Sequence, residues 1–132
     1  MIGGFAVIIY GFVRGTKDID LLVDPSPENI EKIKKALSIL PDNAISEMNN
    51  DEVNKYSIVR IADEFVIDLM AKACGIGYQE ASQDMDFITF EGVKIPVPKK
   101  LLLIRMKNTL RPSDKMDVEF LRLSLDEEKK IK

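Results

Sequence analysis

Ile2-Gly3-Gly4 is followed by an apolar run at residues 5–13 and then by Arg14-Gly15-Thr16-Lys17-Asp18-Ile19-Asp20-Leu21. Side chains two residues apart on a β-strand project from the same face, so Asp18 and Asp20 share a face while Ile19 points into the core. Two carboxylates on one face can hold one or two divalent ions between them. This layout, one helix length after a glycine pair, suits chemistry on a metal-bound triphosphate.

The segments around these aspartates predict four helices. Residues 5–12 predict a buried helix because they are apolar all round. Residues 27–40 predict an amphipathic helix, because Ser26 can cap it and Ile30, Ile33 and Leu37 follow at spacings of three and four. Two further helices are predicted at residues 99–110 and 113–125, and the charged tail at residues 126–132 is expected to fray.

The remaining apolar runs predict strands. Residues 19–23 predict a short strand, residues 56–62 and 65–70 one hairpin, and residues 87–90 and 93–97 a second hairpin across Glu91-Gly92. Residues 41–54 are polar and predict a loop with one helical turn. We therefore expect a single α+β domain over residues 1–132, with a mixed sheet of four to five strands flanked by helices.

The composition narrows the class of protein. With 45% apolar residues, the 132-residue chain can form a core without disulfides or a structural metal. Its net charge of −3 disfavours a broad nucleic-acid surface. Cys74 is the only cysteine, which excludes an internal disulfide and favours a reducing cytoplasm. The apolar start contains three glycines and lacks a basic flank, so we expect neither a signal peptide nor a membrane span.

The sequence contains no histidine, which excludes several kinds of catalytic site. An imidazole base for a serine or cysteine nucleophile is absent, as are histidine ligands for zinc. Carboxylate, lysine, hydroxyl and metal chemistry remain.

Asp68 lies at the centre of a second apolar segment, Val66-Ile67-Asp68-Leu69-Met70. A buried aspartate is unfavourable unless it is paired, protonated or bound to a cation. Asp18, Asp20 and Asp68 are therefore best explained as one cluster, in which a divalent cation relieves the repulsion between carboxylates. Oxygen ligands match the hard ions Mg²⁺ and Mn²⁺. Gly3 and Gly4 at a helix start can present backbone N–H groups to phosphate oxygens at close range.

The glycine pair, the thirteen residues after it, Asp18-Ile19-Asp20-Leu21 and the downstream Ile67-Asp68-Leu69 resemble the signature of the DNA polymerase β-like nucleotidyltransferase superfamily. Within it, the chain looks most like the AbiEii-type and related minimal nucleotidyltransferases, many of them found in toxin-antitoxin pairs. The similarity extends to Lys107, Arg111, Asp114 and Asp117, which resemble the pattern in the C-terminal helices of that group. Members normally place a helix and most of a strand ahead of the glycine pair.

The resemblance implies roles for individual residues. Asp18, Asp20 and Asp68 would be the catalytic and metal-binding carboxylates, and the nucleotide would be bound by the residues of the glycine loop and by three further side chains: Gly3, Gly4, Arg14, Thr16 and Lys107. The implied reaction is Mg²⁺-dependent transfer of a nucleoside monophosphate from a nucleoside triphosphate to a hydroxyl acceptor that the sequence does not specify.

Most of these residues also have a purely structural interpretation. Asp68 can be a paired carboxylate, with Arg60 or Lys72 as its partner. Arg14 can close the first helix through the helix dipole. Thr16 can be a packing or turn residue, and Lys107 can simply be solvated.

The C-terminal pattern and the whole protein can be interpreted in a second way as well. Arg111 can form an ion pair with Asp114 or Asp117. The whole protein can be an inactive binding or regulatory module that keeps the fold and contacts a protein partner, such as the other half of a toxin-antitoxin pair. The short segment before Gly3 favours such a module.

Overall fold

The computed structural model describes residues 1–131. The helices are α1 (Gly3–Ile9), α2 (Pro27–Leu37), α3 (Glu52–Lys55), α4 (Tyr78–Ala81), α5 (Lys100–Met106) and α6 (Pro112–Ile131), with a 3₁₀ turn at Ala44–Glu47. The strands are β1 (Asp18–Leu22), β2 (Val59–Ala62), β3 (Val66–Met70), β4 (Lys72–Ala73), β5 (Ile76–Gly77), β6 (Met85–Phe90) and β7 (Val93–Pro98). This is the α+β composition that the sequence predicts.

The central sheet is mixed and has the order β1-β3-β2. Strand β3 is buried over four of its five residues, because it pairs with β1 on one side and with β2 on the other. The β1–β3 pairing is parallel and sets Asp20 opposite Asp68, whereas the antiparallel β2–β3 hairpin sets Arg60 opposite Asp68. Register alone therefore brings Asp18, Asp20, Asp68 and Arg60 to one face of the sheet.

The predicted sheet of four to five strands is wrong. The central sheet has three strands, and the other four form two separate two-stranded ribbons, β4–β5 and β6–β7. The predicted hairpin at β6–β7 does form, but Ile88, Ile95 and Val97 pack against α1, α5 and α6. Because these three side chains pack in that cluster, the ribbon is held against the helices without joining an edge of the central sheet.

The start of α1 is attached to the central sheet. The Ile2 N–H donates to the Asp20 carbonyl oxygen at 2.9 Å, in an isolated antiparallel bridge. This contact partly covers the outer edge of β1 and fixes the glycine pair beside the strand that carries the two aspartates.

Several helix ends differ from the sequence-based bounds. Helix α1 ends at Ile9 rather than at residue 12, because the chain turns at Gly11, whose φ is +111°. Helix α2 begins at Pro27 as expected, with Ser26 Oγ accepting from the Asn29 N–H, but it ends at Leu37 instead of residue 40. Helix α5 ends at Met106, four residues early.

Helix α6 is longer than predicted and continues through Ile131. The segment from residue 126 to residue 131, expected as a fraying tail, is therefore helical. Lys100 on α5 donates to Ser124 and Glu128, and Lys129 and Lys130 lie in the last turn, where positive charge complements the helix dipole. Lys132 lies outside the described residues. Within residues 1–131, none of the helices has the length and apolar character that crossing a bilayer would require.

Candidate functional site

The three aspartates lie together at the face of the central sheet. Asp20 and Asp68 are register partners on adjacent parallel strands, and Asp18 lies two residues before Asp20 on the same strand. Asp68 is 4% exposed, whereas Asp18 and Asp20 are partly exposed toward an open cleft. The cluster expected from the sequence is thus formed by strand pairing.

Arg60 is the cation that contacts this cluster. Its Nε donates to Asp68 Oδ1 at 2.9 Å, and one terminal nitrogen donates both to Asp68 Oδ2 at 3.1 Å and to Asp18 Oδ2 at 2.9 Å. One guanidinium therefore bridges two carboxylates and offsets one of their two negative charges. The predicted pairing of Asp68 with Arg60 is confirmed, and the second contact, to Asp18, was not foreseen.

Asp20 is half-buried next to the negative charges of Asp18 and Asp68. Burial, followed by the charges of Asp68 and Asp18, raises the pKa of Asp20 to about 6 from its ordinary 3.8, although Lys107 acts in the opposite direction. A carboxylate whose ionised form is disfavoured in this way gains from any additional positive charge nearby. The cluster is therefore a favourable place for a further cation.

The glycine pair lies directly against this cluster. A Cβ atom at position 3 would lie 2.1 Å from Asp20 Oδ2, and Gly3 has a φ of +72°. A Cβ atom at position 4 would lie 3.0 Å from Thr16 Oγ1 and 3.3 Å from a terminal nitrogen of Arg14. Glycine at position 3 is thus required both for the backbone conformation and for close approach to the aspartate.

A buried network of charges forms the wall beside Gly4. Nη1 of Arg14 lies 2.6 Å from both carboxylate oxygens of Asp117, and the Lys107 ammonium lies 2.7 Å from Asp117 and 3.4 Å from Asp114. Asp117 is fully buried and the Lys107 side chain is 7% exposed. The alternative that Lys107 is simply solvated is wrong, because its ammonium turns inward to these two carboxylates.

The pairings in this network differ from those expected for Arg14 and for the aspartates on α6. Arg14 does not close α1, because that helix ends at Ile9 with no basic residue in its last turn. Among the described residues, the ion pairs of Asp114 and Asp117 go to Lys107 and Arg14, so the predicted pairing of these aspartates with Arg111 is wrong. The reason is that Lys107 and Arg14 approach α6 from other elements of the fold.

All of the site residues predicted from the sequence line one cleft, which has a volume of about 490 Å³. Its lining includes Gly3, Gly4, Arg14, Thr16, Asp18, Asp20, Asp68 and Lys107. The carboxylates and Arg60 line one side, and the Arg14–Asp117–Lys107 network lines another. The cleft is therefore polar, and each of these two sides combines carboxylates with basic side chains.

Two of the contacts that were not predicted from the sequence differ in the signal that could have indicated them. The contact between Arg60 and Asp18 had a partial signal, because Arg60 lies opposite Asp68 in a hairpin and Asp68 was expected beside Asp18. The contact between Arg14 and Asp117 had none, because these residues are separated by 103 positions and meet only when α6 packs on the N-terminal segment.

The donor set of the cleft fits Mg²⁺ or Mn²⁺. Asp18, Asp20 and Asp68 offer carboxylate oxygens, which hard divalent ions prefer, and a cation, the Arg60 guanidinium, already binds two of the three. In residues 1–131, no three acidic or cysteine side chains are assembled around one point as ligands of an ion. The aspartates therefore offer suitable oxygen ligands, and Arg60 is paired with two of them.

Comparison with known proteins adds no assignment to this geometry. No protein-family model matches the chain, and no curated protein matches it significantly.

Proposed function

We propose that this protein is a nucleotidyltransferase, which moves a nucleoside monophosphate from a nucleoside triphosphate to a hydroxyl acceptor. The observation that carries the proposal is the close approach of Gly3 to Asp20, because it holds the glycine pair directly beside three clustered carboxylates. This arrangement agrees with the resemblance of the sequence to the DNA polymerase β-like superfamily and to its AbiEii-type members.

Asp18, Asp20 and Asp68 are the residues that would hold Mg²⁺. When bound, the ion polarises the phosphoryl group under attack and neutralises charge on the departing pyrophosphate. The chemistry of these residues supports this role, since Asp20 has a raised pKa and gains from added positive charge.

The other cleft residues bind and orient the triphosphate. The backbone at Gly3 and Gly4 receives phosphate oxygens, and Thr16 Oγ1 lies next to Gly4 as a further donor. Arg14 and Lys107 provide positive charge on the adjoining wall, where Asp117 fixes the position of both. A cleft of about 490 Å³ has the size usual for a small-molecule site.

In the reaction, the oxygen of the acceptor hydroxyl attacks the α-phosphorus. The bond from that phosphorus to the oxygen that bridges the α- and β-phosphates breaks. Pyrophosphate leaves, and the proton of the acceptor hydroxyl passes to a carboxylate, for which Asp68 is our candidate. The expected products are a nucleotidylated acceptor and pyrophosphate.

A labelling experiment tests this proposal. Purified protein with Mg²⁺ and an α-labelled nucleoside triphosphate should transfer label to an acceptor in a cell extract. Asp20→Ala should abolish transfer, whereas Asp126→Ala, which changes an exposed aspartate on α6, should leave it unchanged. A folded protein that neither binds nucleotide nor transfers label would overturn the proposal.

The second candidate is an inactive binding or regulatory module, such as one component of a toxin-antitoxin pair in a reducing cytoplasm. The observation in its favour is that Arg60 already forms ion pairs with both Asp18 and Asp68. Calorimetric titration separates the two candidates, because the module should have no Mg²⁺-dependent affinity for nucleotide. A stable complex with the product of a neighbouring gene would support the module.

A further inference from the structure

Arg60 occupies the carboxylate oxygens that a divalent ion would need. It makes two hydrogen bonds to Asp68 and one to Asp18, so it touches both strands that carry the cluster. Its position follows from the β2–β3 hairpin, which sets it directly opposite Asp68. The backbone of the hairpin therefore holds Arg60 beside Asp68.

A guanidinium and a divalent ion compete for the same carboxylate oxygens, because their positive charges repel each other at such short range. Arginine stays protonated at any physiological pH, so it cannot give way by losing its charge. It can give way by moving, since its side chain is 58% exposed on the cleft wall. Binding of an ion between Asp18 and Asp68 therefore favours a position of Arg60 away from both carboxylates, where it needs other partners.

We infer that Arg60 closes the carboxylate site to free divalent ions, and that a triphosphate opens it by bringing an ion together with anionic oxygens that can receive the guanidinium. This inference rests on the proposed function and adds its regulation. The triphosphate fits the requirement because the proposed function puts it in the same cleft, which Arg60 also lines. Metal and nucleotide binding are then coupled, and each raises the affinity for the other.

The test measures Mn²⁺ binding directly, through the loss of the electron paramagnetic resonance signal of free Mn²⁺. The full chain is titrated with and without a non-hydrolysable nucleoside triphosphate analogue. The variants are Arg60→Gln, Arg60→Lys and, as matched control, Arg105→Gln, which removes an exposed arginine paired with Glu80 outside the cleft. Circular dichroism verifies that each variant is folded.

The inference predicts a specific pattern of affinities. Arg60→Gln should bind Mn²⁺ alone about tenfold more tightly than the unmodified protein, and the analogue should strengthen Mn²⁺ binding about tenfold in the unmodified protein but much less in this variant. Arg60→Lys keeps the charge but lacks the planar fork that bridges two carboxylates, so it should fall between them. Arg105→Gln should behave as the unmodified protein does.

The contrary results separate this inference from the proposed function. If both Arg60 variants bind Mn²⁺ no more tightly than the unmodified protein, the closing role of Arg60 is wrong, even if the protein transfers label from a nucleotide. If no variant binds Mn²⁺ under any condition, the inference is also wrong, and the labelling experiment then decides separately whether transfer occurs. If Arg60→Gln does not fold, the comparison of Arg60→Lys with the unmodified protein decides the outcome.

Discussion

Arg14 and Asp117 are 103 residues apart in the sequence, and their side chains meet through two contacts of 2.6 Å. Asp117 is fully buried on α6, and Lys107 approaches the same carboxylate at 2.7 Å. The contact ties the last helix to the loop between α1 and β1, beside Gly4 and Thr16. The shape of the cleft therefore depends on an ion pair between two residues that are far apart in the sequence.

Removal of the buried carboxylate should destabilise the protein strongly. Asp117→Ala leaves Arg14 and Lys107 without their shared partner, so we expect the free energy of unfolding to fall by about 3–5 kcal/mol. Urea denaturation followed by circular dichroism gives this value. Asp126→Ala, at an exposed position of the same helix, should change stability by about 0.5 kcal/mol or less, and a similarly small effect of Asp117→Ala would contradict the prediction.

Two glycines with positive φ allow the effect of the close approach between Gly3 and Asp20 on stability to be measured apart from the effect of backbone strain. Gly3 has a φ of +72° and lies against Asp20, whereas Gly92, at the tip of the β6–β7 ribbon, has a φ of +80° with open space around it. Gly92→Ala should lower stability by about 1 kcal/mol from strain alone. Gly3→Ala should lower it by at least about 1 kcal/mol more, because the new Cβ displaces Asp20. Equal losses in thermal denaturation would show that the close approach has no effect.

Asp20 should make the metal-free protein less stable as the pH rises. Its folded-state pKa of about 6 exceeds the ordinary value of 3.8, so the folded protein retains a proton that the unfolded chain releases. The stabilisation from this proton is complete below about pH 4 and is lost as the pH rises through about 6.

Asp20→Asn, which cannot ionise, should therefore be more stable than the unmodified protein at pH 7.5 but not at pH 3.5. A shift of this size corresponds to about 3 kcal/mol, but Asp20 is partly exposed and screened by solvent, so we expect a gain of about 1 kcal/mol. Guanidinium chloride denaturation in the presence of a chelator measures the difference at each pH. A stability difference that does not vary with pH would contradict the raised pKa of Asp20.

The packing of α6 can be tested at two leucines on opposite faces. Leu121 is fully buried against α1 and the β6–β7 ribbon, whereas Leu123 is 59% exposed. We expect Leu121→Ala to lower the free energy of unfolding by about 2–5 kcal/mol, because it removes buried contacts and leaves a cavity. Leu123→Ala should change it by about 0.5 kcal/mol or less. Comparable effects at both positions would mean that the helix packs through a different face.

Local patterns in the sequence were sufficient for much of the fold. The β2–β3 and β6–β7 hairpins and the start of α2 at Pro27 match the predictions. The early ends of α1 and α5 and the extension of α6 do not match. Helix α1 ends early at the local turn of Gly11, whereas the last turns of α6 contact the distant Lys100. The single sheet expected from the predicted strands does not form either, since alternation of side chains does not reveal which strands pair.

The sequence by itself determined which residues share a strand face and which turns are tight, because these properties follow from backbone geometry over a few residues. It thus placed Asp18 beside Asp20 and Asp68 at the middle of an apolar strand. Only the tertiary structure decided that β1 runs parallel to β3, that Arg60 bridges Asp18 and Asp68, and that Asp117 holds Arg14 and Lys107. Such contacts join residues far apart in the chain, and they form only where the packing of the whole core brings their elements together.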